Sequence, residues 1–267
     1  MDCVVPGTVY LVGAGPGAPD LITVRGQRIL SRADVVLHDA LVSPELLADV
    51  RPDAKVVSVG KRGYCVGSTR QETIHADLVR YARAGYSVCR LKCGDPNIFG
   101  RGGEEAQHLA AYHIPFEIIP GVTSAIGACA AASIPLTHRE VGQAVAFVTG
   151  HHDPDSPECT LDWDALAHIP VLVFYMAIRH IGRIAERLCE AGVSTAMPCA
   201  VIESGTLPDE HIVVSNLEGI GEALNEMTIT GPAIFIVGEV VRYRDELLNV
   251  TNFGLPRAIA SRAGVFS

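Results

Sequence analysis

The stretch Tyr10–Thr23, "YLVGAGPGAPDLIT", decides how the rest of the chain is read. The run before its first glycine, "TVYLV" at 8–12, is short, apolar and rich in β-branched residues, and predicts a buried strand. A glycine-rich turn follows at once, as in the opening βα turn of a dinucleotide-binding unit. The spacing departs from that pattern, because the glycines fall at Gly13, Gly15 and Gly17, with Ala18 next. Pro16 lies inside the loop and Pro19 just after it. Proline has no N–H, so each removes a donor that would otherwise cradle a pyrophosphate at a helix N-terminus. The loop suits close backbone approach and is poorly supplied for gripping phosphate.

Short apolar runs recur beyond it. Strands are expected at 34–38, 55–59, 87–91 and 115–119, with a helix over 70–84. In that helix Ile74, Leu78, Tyr81 and Ala82 share a face, Ser68 and Thr69 offer caps, and Gly85 ends it. Such alternation implies a mostly parallel sheet covered by helices. After the Pro120-Gly121 break and a small-residue segment, a second series of strands is expected at 145–149, 170–175, 199–203, 211–214 and 233–237, with a helix over 178–190. Its later strands stand too close for βαβ crossovers, so part of that sheet should be antiparallel. The expected fold is therefore two α/β domains with an interdomain cleft, the first sheet mostly parallel and the second mixed. The boundaries are 1–120 and 121–250, with a mobile tail over 251–267.

The bulk properties narrow the class. The 267 residues are 48% hydrophobic and 19% charged, ordinary for a globular enzyme. No apolar run approaches the roughly 18 residues of a membrane span, and "MDCVVPG" does not read as a signal peptide. The eight cysteines form no C-x-x-C pair, which fits free thiols in a reducing cytoplasm. His151, His152 and Cys159 fit no standard zinc spacing, so no metal is expected. The net charge of −9 argues against nucleic acid. Residues 1–101 nevertheless carry 13 Lys/Arg against 10 Asp/Glu, whereas 102–267 carry 8 against 20. An anionic small molecule would find its countercharges in the first part, where arginine favours bidentate carboxylate recognition.

Four constellations follow predicted strands. They are the opening loop; Asp39; the pair Lys61-Arg62; and "RLKCGDPNIFGRGGEE" over 90–105. Asp39 suits a ribose-binding acid, a base, an orienting carboxylate or a plain cap. In the fourth, Gly94, Pro96, Gly100, Gly102 and Gly103 constrain the backbone around Asp95, Arg101, Glu104 and Glu105. No G-x-S-x-G supports serine-nucleophile chemistry. An NAD(P)-dependent oxidoreductase would use the first loop and Asp39 but leave the fourth constellation idle.

Eight ordered blocks carry a resemblance: "VGAGPGAPDLIT", "ADVVLHDALVS", "VGKR", "RLKCGDPNIFGRGGEE", "IIPGVTSAIGACAAASIPLTHR", "FVTGH", "LVFYM" and "GPAIFIVGEVV". Together they resemble the tetrapyrrole methylase family, which uses S-adenosylmethionine, over residues 7–248. The 90–105 block and "LTHR" resemble the branch that methylates uroporphyrinogen III. The resemblance implies methyl transfer to C2 and C7, giving precorrin-2 through precorrin-1 and two S-adenosylhomocysteines. The alternative is a related methylase acting on a later corrin precursor.

It further implies donor contacts at Pro16, Cys93, Gly94, Asp95, Ile98, Thr123, Ser124, Met176, Gly205 and Ala233. Asp39 matches a proton acceptor and Lys61 a proton donor, while Arg101 and Glu104 match positions that hold substrate or assist proton removal. An arginine is too basic to serve as the base, so Arg101 is assigned to a substrate carboxylate. A homodimer is implied as well, without membrane or nucleic-acid partners. Bifunctional relatives carry a dehydrogenase-chelatase module before the methylase, and the early loop implies none here. Two departures stand out: Cys93 where the family has glycine, strained if its φ is positive, and His75 in place of asparagine.

Overall fold

A computed structural model describes residues 4–60, 71–225 and 229–251, and divides into two compact units, 1–124 and 125–267. Lys61, the Lys61-Arg62 pair, the Ser68 and Thr69 caps and all but the first residue of the expected tail lie outside the described residues.

The first unit alternates strands and helices: β1 (Val9–Gly13), α1 (Val24–Leu30), β2 (Val35–His38), α2 (Pro44–Leu47), β3 (Lys55–Ser58), α3 (Gln71–Arg83), β4 (Val88–Lys92), α4 (Gly102–Ala111) and β5 (Phe116–Ile119). Every pairing is parallel, in the order β3-β2-β4-β1-β5. Both faces of its central strands are covered, so β1 and β4 are buried at every position. One face packs Val9, Leu11, Leu37 and Val88 on Ile74 and Leu78 of α3 and Leu109 of α4. The other packs Tyr10, Val12, Cys89 and Leu91 on Ile29 and Leu30 of α1 and Leu46 of α2. Thr23 starts α1 as an N-cap, its hydroxyl accepting from the Gly26 N–H at 3.1 Å.

This arrangement places the ligand crevice. Neighbouring strands β1 and β4 send their chains to opposite faces, into α1 and α4 respectively. Where adjacent connections diverge in this way, a crevice opens beyond the carboxyl ends of the strands.

The second unit comprises α5 (Ser124–Ala131, whose first residue belongs to the first unit), β6 (Val145–Thr149), α6 (Trp163–Ala167), β7 (Val171–Tyr175), α7 (Ile181–Glu190), β8 (Pro198–Glu203), β9 (His211–Asn216), α8 (Ile220–Asn225), β10 (Ala233–Val237) and α9 (Tyr243–Thr251). Its sheet runs β6-β7-β10-β8-β9; β6 and β7 are parallel, and β10 pairs antiparallel with both β7 and β8. The β8–β9 pair is antiparallel too. The mixed second sheet expected from the crowded strand spacing is present. Ile181, Ile184, Ala185 and Leu188 of α7 pack on Phe174, Val201 and Phe235.

Candidate functional site

In the first unit three loops meet at the β1/β4 crevice. Gly15 and Gly94 form an antiparallel bridge, with the Gly94 N–H donating to the Gly15 carbonyl at 2.7 Å and the Gly15 N–H donating back at 3.2 Å. The Ala14 N–H donates to the Lys92 carbonyl at 2.8 Å. Asp95 accepts from the Gly121 N–H through Oδ2 at 3.0 Å and from the Asn97 N–H through Oδ1 at 2.8 Å. Thr123 and Ser124 pass against the open side of Gly94, their backbone 3.7 Å from where a Cβ would stand. Cys93, Gly94, Asp95, Thr123 and Ser124 thus belong to one junction, with Pro16 next in the chain to Gly15 and the Ile98 N–H donating to the Asp95 carbonyl at 3.4 Å.

That junction counts against the dinucleotide alternative. The N–H groups of Ala14, Gly15 and Gly94 are spent within the loops, and Pro16 has none. The loop runs into a short 3₁₀ turn at Pro19–Leu21 instead of a helix N-terminus.

Cys93 does not adopt a positive φ; the left-handed residue is its neighbour Gly94, at +68°. Its side chain is therefore accommodated without backbone strain. Its thiol lies 3.9 Å from the Gly15 carbonyl, and burial, with the Asp39 charge adding, pushes it up to about 11.

Asp39 follows β2, and its side chain caps no helix. Oδ1 accepts from Arg90 Nη2 at 2.5 Å; the Arg90 side chain is 3% exposed and that of Asp39 28%. Arg90 also donates through Nε to Glu105 Oε1 at 3.2 Å, and Lys92 Nζ donates to the same oxygen at 3.0 Å. Gln71 reaches that oxygen at 3.3 Å. Glu105 Oε2 is buried and has no hydrogen-bond partner among the described residues. Burial works against the Arg90 charge, but Asp39 and Glu105 outweigh it and raise its basicity. Burial and the nearby Arg90 charge pull the Lys92 ammonium below its ordinary value, with Glu105 opposing them. Glu105 was singled out from sequence without a role, and Arg90 and Lys92 were not, although two cations at alternate positions of a doubly covered strand demand buried countercharges.

Arg101 opens α4 in the left-handed region at φ +58° and grips Glu104 with two hydrogen bonds, 2.9 and 2.7 Å. Hydrogen bonding to Arg101 holds the Glu104 carboxyl below its usual range. A substrate carboxylate must therefore compete with Glu104 for this fork.

In the second unit Met176 follows β7, Gly205 lies two residues beyond β8 and Ala233 opens β10. The pairings Ile234↔Tyr175 and Ala233↔Glu203 put all three at one end of the three central strands. Glu203 Oε1 accepts from the N–H groups of Thr230, at 2.7 Å, and Gly231, at 2.5 Å, which fixes the approach to Ala233. Gly205 packs on Ala128 of α5, where a Cβ would fall 2.4 Å from the alanine methyl. Of the seven described non-glycine residues at positive φ, Phe99 and Arg101 belong to the 90–105 loop, Met176, Ser204 and Thr206 to this strand end, and His113 and Ser133 follow helices α4 and α5. Such strain persists only where surrounding structure enforces it, and it gathers at ligand sites.

The described cysteines are unpaired, and no helix among the described residues is long and apolar enough to cross a membrane.

The chain belongs to the tetrapyrrole (corrin/porphyrin) methylases, whose family profile matches residues 8–221. It is 45% identical over 238 residues to the uroporphyrinogen-III C-methyltransferase of Priestia megaterium, covering 89% of this chain and 99% of that protein. It is 47% identical over 242 residues, 90% of its length, to the siroheme synthase of Hahella chejuensis, and spans about half (51%) of that longer protein. Among solved structures it resembles uroporphyrin-III C-methyltransferase from Thermus thermophilus complexed with S-adenosylhomocysteine. The TM-score is 0.74 at 40% identity, covering 88% of this chain and 99% of that one.

Proposed function

We propose that this chain transfers methyl groups from S-adenosylmethionine to C2 and C7 of uroporphyrinogen III, giving precorrin-2 through precorrin-1. The observation that carries the reading is the loop junction at the β1/β4 crevice, rich in backbone and free of any phosphate clamp, in a chain that aligns with a uroporphyrinogen-III C-methyltransferase along that protein's length.

The donor supplies a methyl on a sulfonium, already activated because its leaving group departs neutral. In each transfer a carbon–carbon bond forms at a pyrrole carbon while the sulfur–methyl bond breaks, its electron pair staying on sulfur. The ring is left cationic and must lose a proton. Orientation of the reacting atoms in line can supply roughly 7–11 kcal/mol of barrier reduction. In this reading Pro16, Cys93, Gly94, Asp95, Ile98, Thr123 and Ser124 contact the donor, as do Met176, Gly205 and Ala233. Asp39 accepts the proton, because its carboxylate is partly open to solvent yet anchored by a buried arginine. Arg101, with Glu104 beside it, engages a substrate carboxylate. Lys61 as proton donor rests on the resemblance alone. The reading includes a cytoplasmic homodimer and requires no metal ion.

The test is incubation with uroporphyrinogen III and methyl-labelled donor, followed by product mass. Two added methyls are expected; one reopens the substrate assignment, and none rejects it. Asp39→Asn should lower kcat roughly 10²–10⁴-fold, the usual worth of a general base, while calorimetric affinity for S-adenosylhomocysteine is retained. Equal loss of both would undo the base assignment.

A further inference from the structure

We propose that Glu105 is a positioning residue for the Asp39 carboxylate, acting through Arg90. The inference rests on the reading of Asp39 as the proton acceptor. Its foundation is the orientation of one guanidinium. Arg90 is held by Glu105 at Nε, 3.2 Å away, and by the carbonyls of Leu37, 3.5 Å, and Leu91, 3.3 Å, at Nη1. Only Nη2 is turned to Asp39. The carboxylate is therefore presented by a cation that cannot swing with it.

The cluster is also balanced. Two buried cations, Arg90 and Lys92, face two anions, and Glu105 satisfies both cations through one oxygen. Replacing Glu105 by a neutral group leaves two buried cations with Asp39 as the one anion in contact with them among the described residues, since Glu104 acts on Lys92 through its charge alone and is held by Arg101. A carboxylate in an excess of positive charge gives up its readiness to take a proton.

The surrounding charges do not replace Glu105. Asp39 faces Arg90 and Lys92 from β4 and the thiol of Cys93 beyond it, and its carbonyl meets the His38 ring at 3.0 Å. Glu105 faces Arg90 and Lys92 from β4, Gln71 and His75 from α3, and the Arg101 charge at the start of its own helix. Burial and the adjacent His108 keep His75 below its ordinary value, so it adds no permanent charge.

The experiment compares Glu105→Gln, Glu105→Asp and the double variant Lys92→Met/Glu105→Gln in the intact enzyme. Its readouts are the pH profile of kcat with uroporphyrinogen III, calorimetric affinity for S-adenosylhomocysteine and the thermal midpoint. Glu105→Gln should lower the kcat plateau about tenfold or more and move its acid limb down by about one pH unit, with donor-product affinity within about twofold. Glu105→Asp keeps the charge and should leave the limb in place. The double variant removes one acid and one base, and should return the limb to its wild-type position even where Glu105→Gln alone fails to fold. A folded Glu105→Gln with an unmoved limb, or a double variant whose limb stays displaced, would overturn the inference. Asp39→Asn turning over at the wild-type rate would instead condemn the base assignment and the inference with it.

Discussion

At Gly121 the backbone leaves no room for a side chain. A Cβ there would stand 2.3 Å from the Gly94 carbonyl oxygen and 2.8 Å from the Gly13 Cα, so whole loops would have to part. Gly121→Ala should weaken S-adenosylhomocysteine binding about tenfold or more, equivalent to about 1.4 kcal/mol. Cys93 presents the opposite case, since its φ is ordinary and its thiol makes only a long contact with Gly15. Cys93→Gly should change affinity by no more than about twofold while costing up to roughly 1 kcal/mol of stability through added backbone freedom. Calorimetry and urea titration of the two variants check both, and equal effects would mean that the crevice is not built from close backbone packing. The same contrast explains what the residues themselves disclosed. Glycines and prolines mark the junction because each constrains its own backbone, a local property. Arg90, Lys92 and Glu105 acquire their meaning only across α4 and β4, and in the chain they pass for a strand end and a helix start.

Among the elements, β2 and β4 are joined at their first residues by Asp34. Its Oδ2 accepts from the Ser87 N–H at 2.9 Å and the Ser87 hydroxyl at 2.6 Å, and its Oδ1 accepts from Arg51 at 3.0 Å. The Ser87 hydrogen bonds first, and the Arg51 charge after them, hold this carboxyl below its ordinary value of 3.8. A depressed folded value means that the contribution is fully present above 3.8 and vanishes as pH falls through the lower, folded value. The urea midpoint of Asp34→Asn should therefore lie below wild type near neutral pH and converge with it in strong acid. A gap that persists in strong acid would show that the loss is steric. The central strands β1, β2, β4, β7, β8 and β10 were legible because a strand buried on both faces reads as an unbroken apolar run, the more exposed β3, β5, β6 and β9 because of their β-branched residues, and α3 and α7 because they are long enough to repeat a face. The helices α1, α2, α6 and α8 run only four to seven residues, too few for periodicity, although Thr23, Ser43 and Asp162 cap the first three. Strand order stayed hidden, because β4 inserts between β2 and β1 through pairings between distant segments.

Each of the two units has a buried sheet of its own, and each sheet contains a thiol that reports on it. Cys89 is central in β4 of the first sheet and Cys199 lies in β8 of the second, both fully buried. Burial pushes each thiol up to about 12, so neither reacts in the native state at mildly alkaline pH. Labelling of either residue along a denaturant series then measures the opening of its own sheet. S-adenosylhomocysteine at about 100 times its Kd should stabilise whatever it contacts by about 2.7 kcal/mol. Donor contacts are proposed in both units, at Pro16 to Ser124 in the first and at Met176, Gly205 and Ala233 in the second. The labelling midpoints of Cys89 and Cys199 should therefore both move to higher denaturant when the ligand is added. Movement of Cys89 alone would confine the donor to the first unit and dismiss Met176, Gly205 and Ala233. With neither midpoint moved, the donor itself would have to be reconsidered, because a ligand that binds only folded protein cannot leave both sheets as easy to open as before.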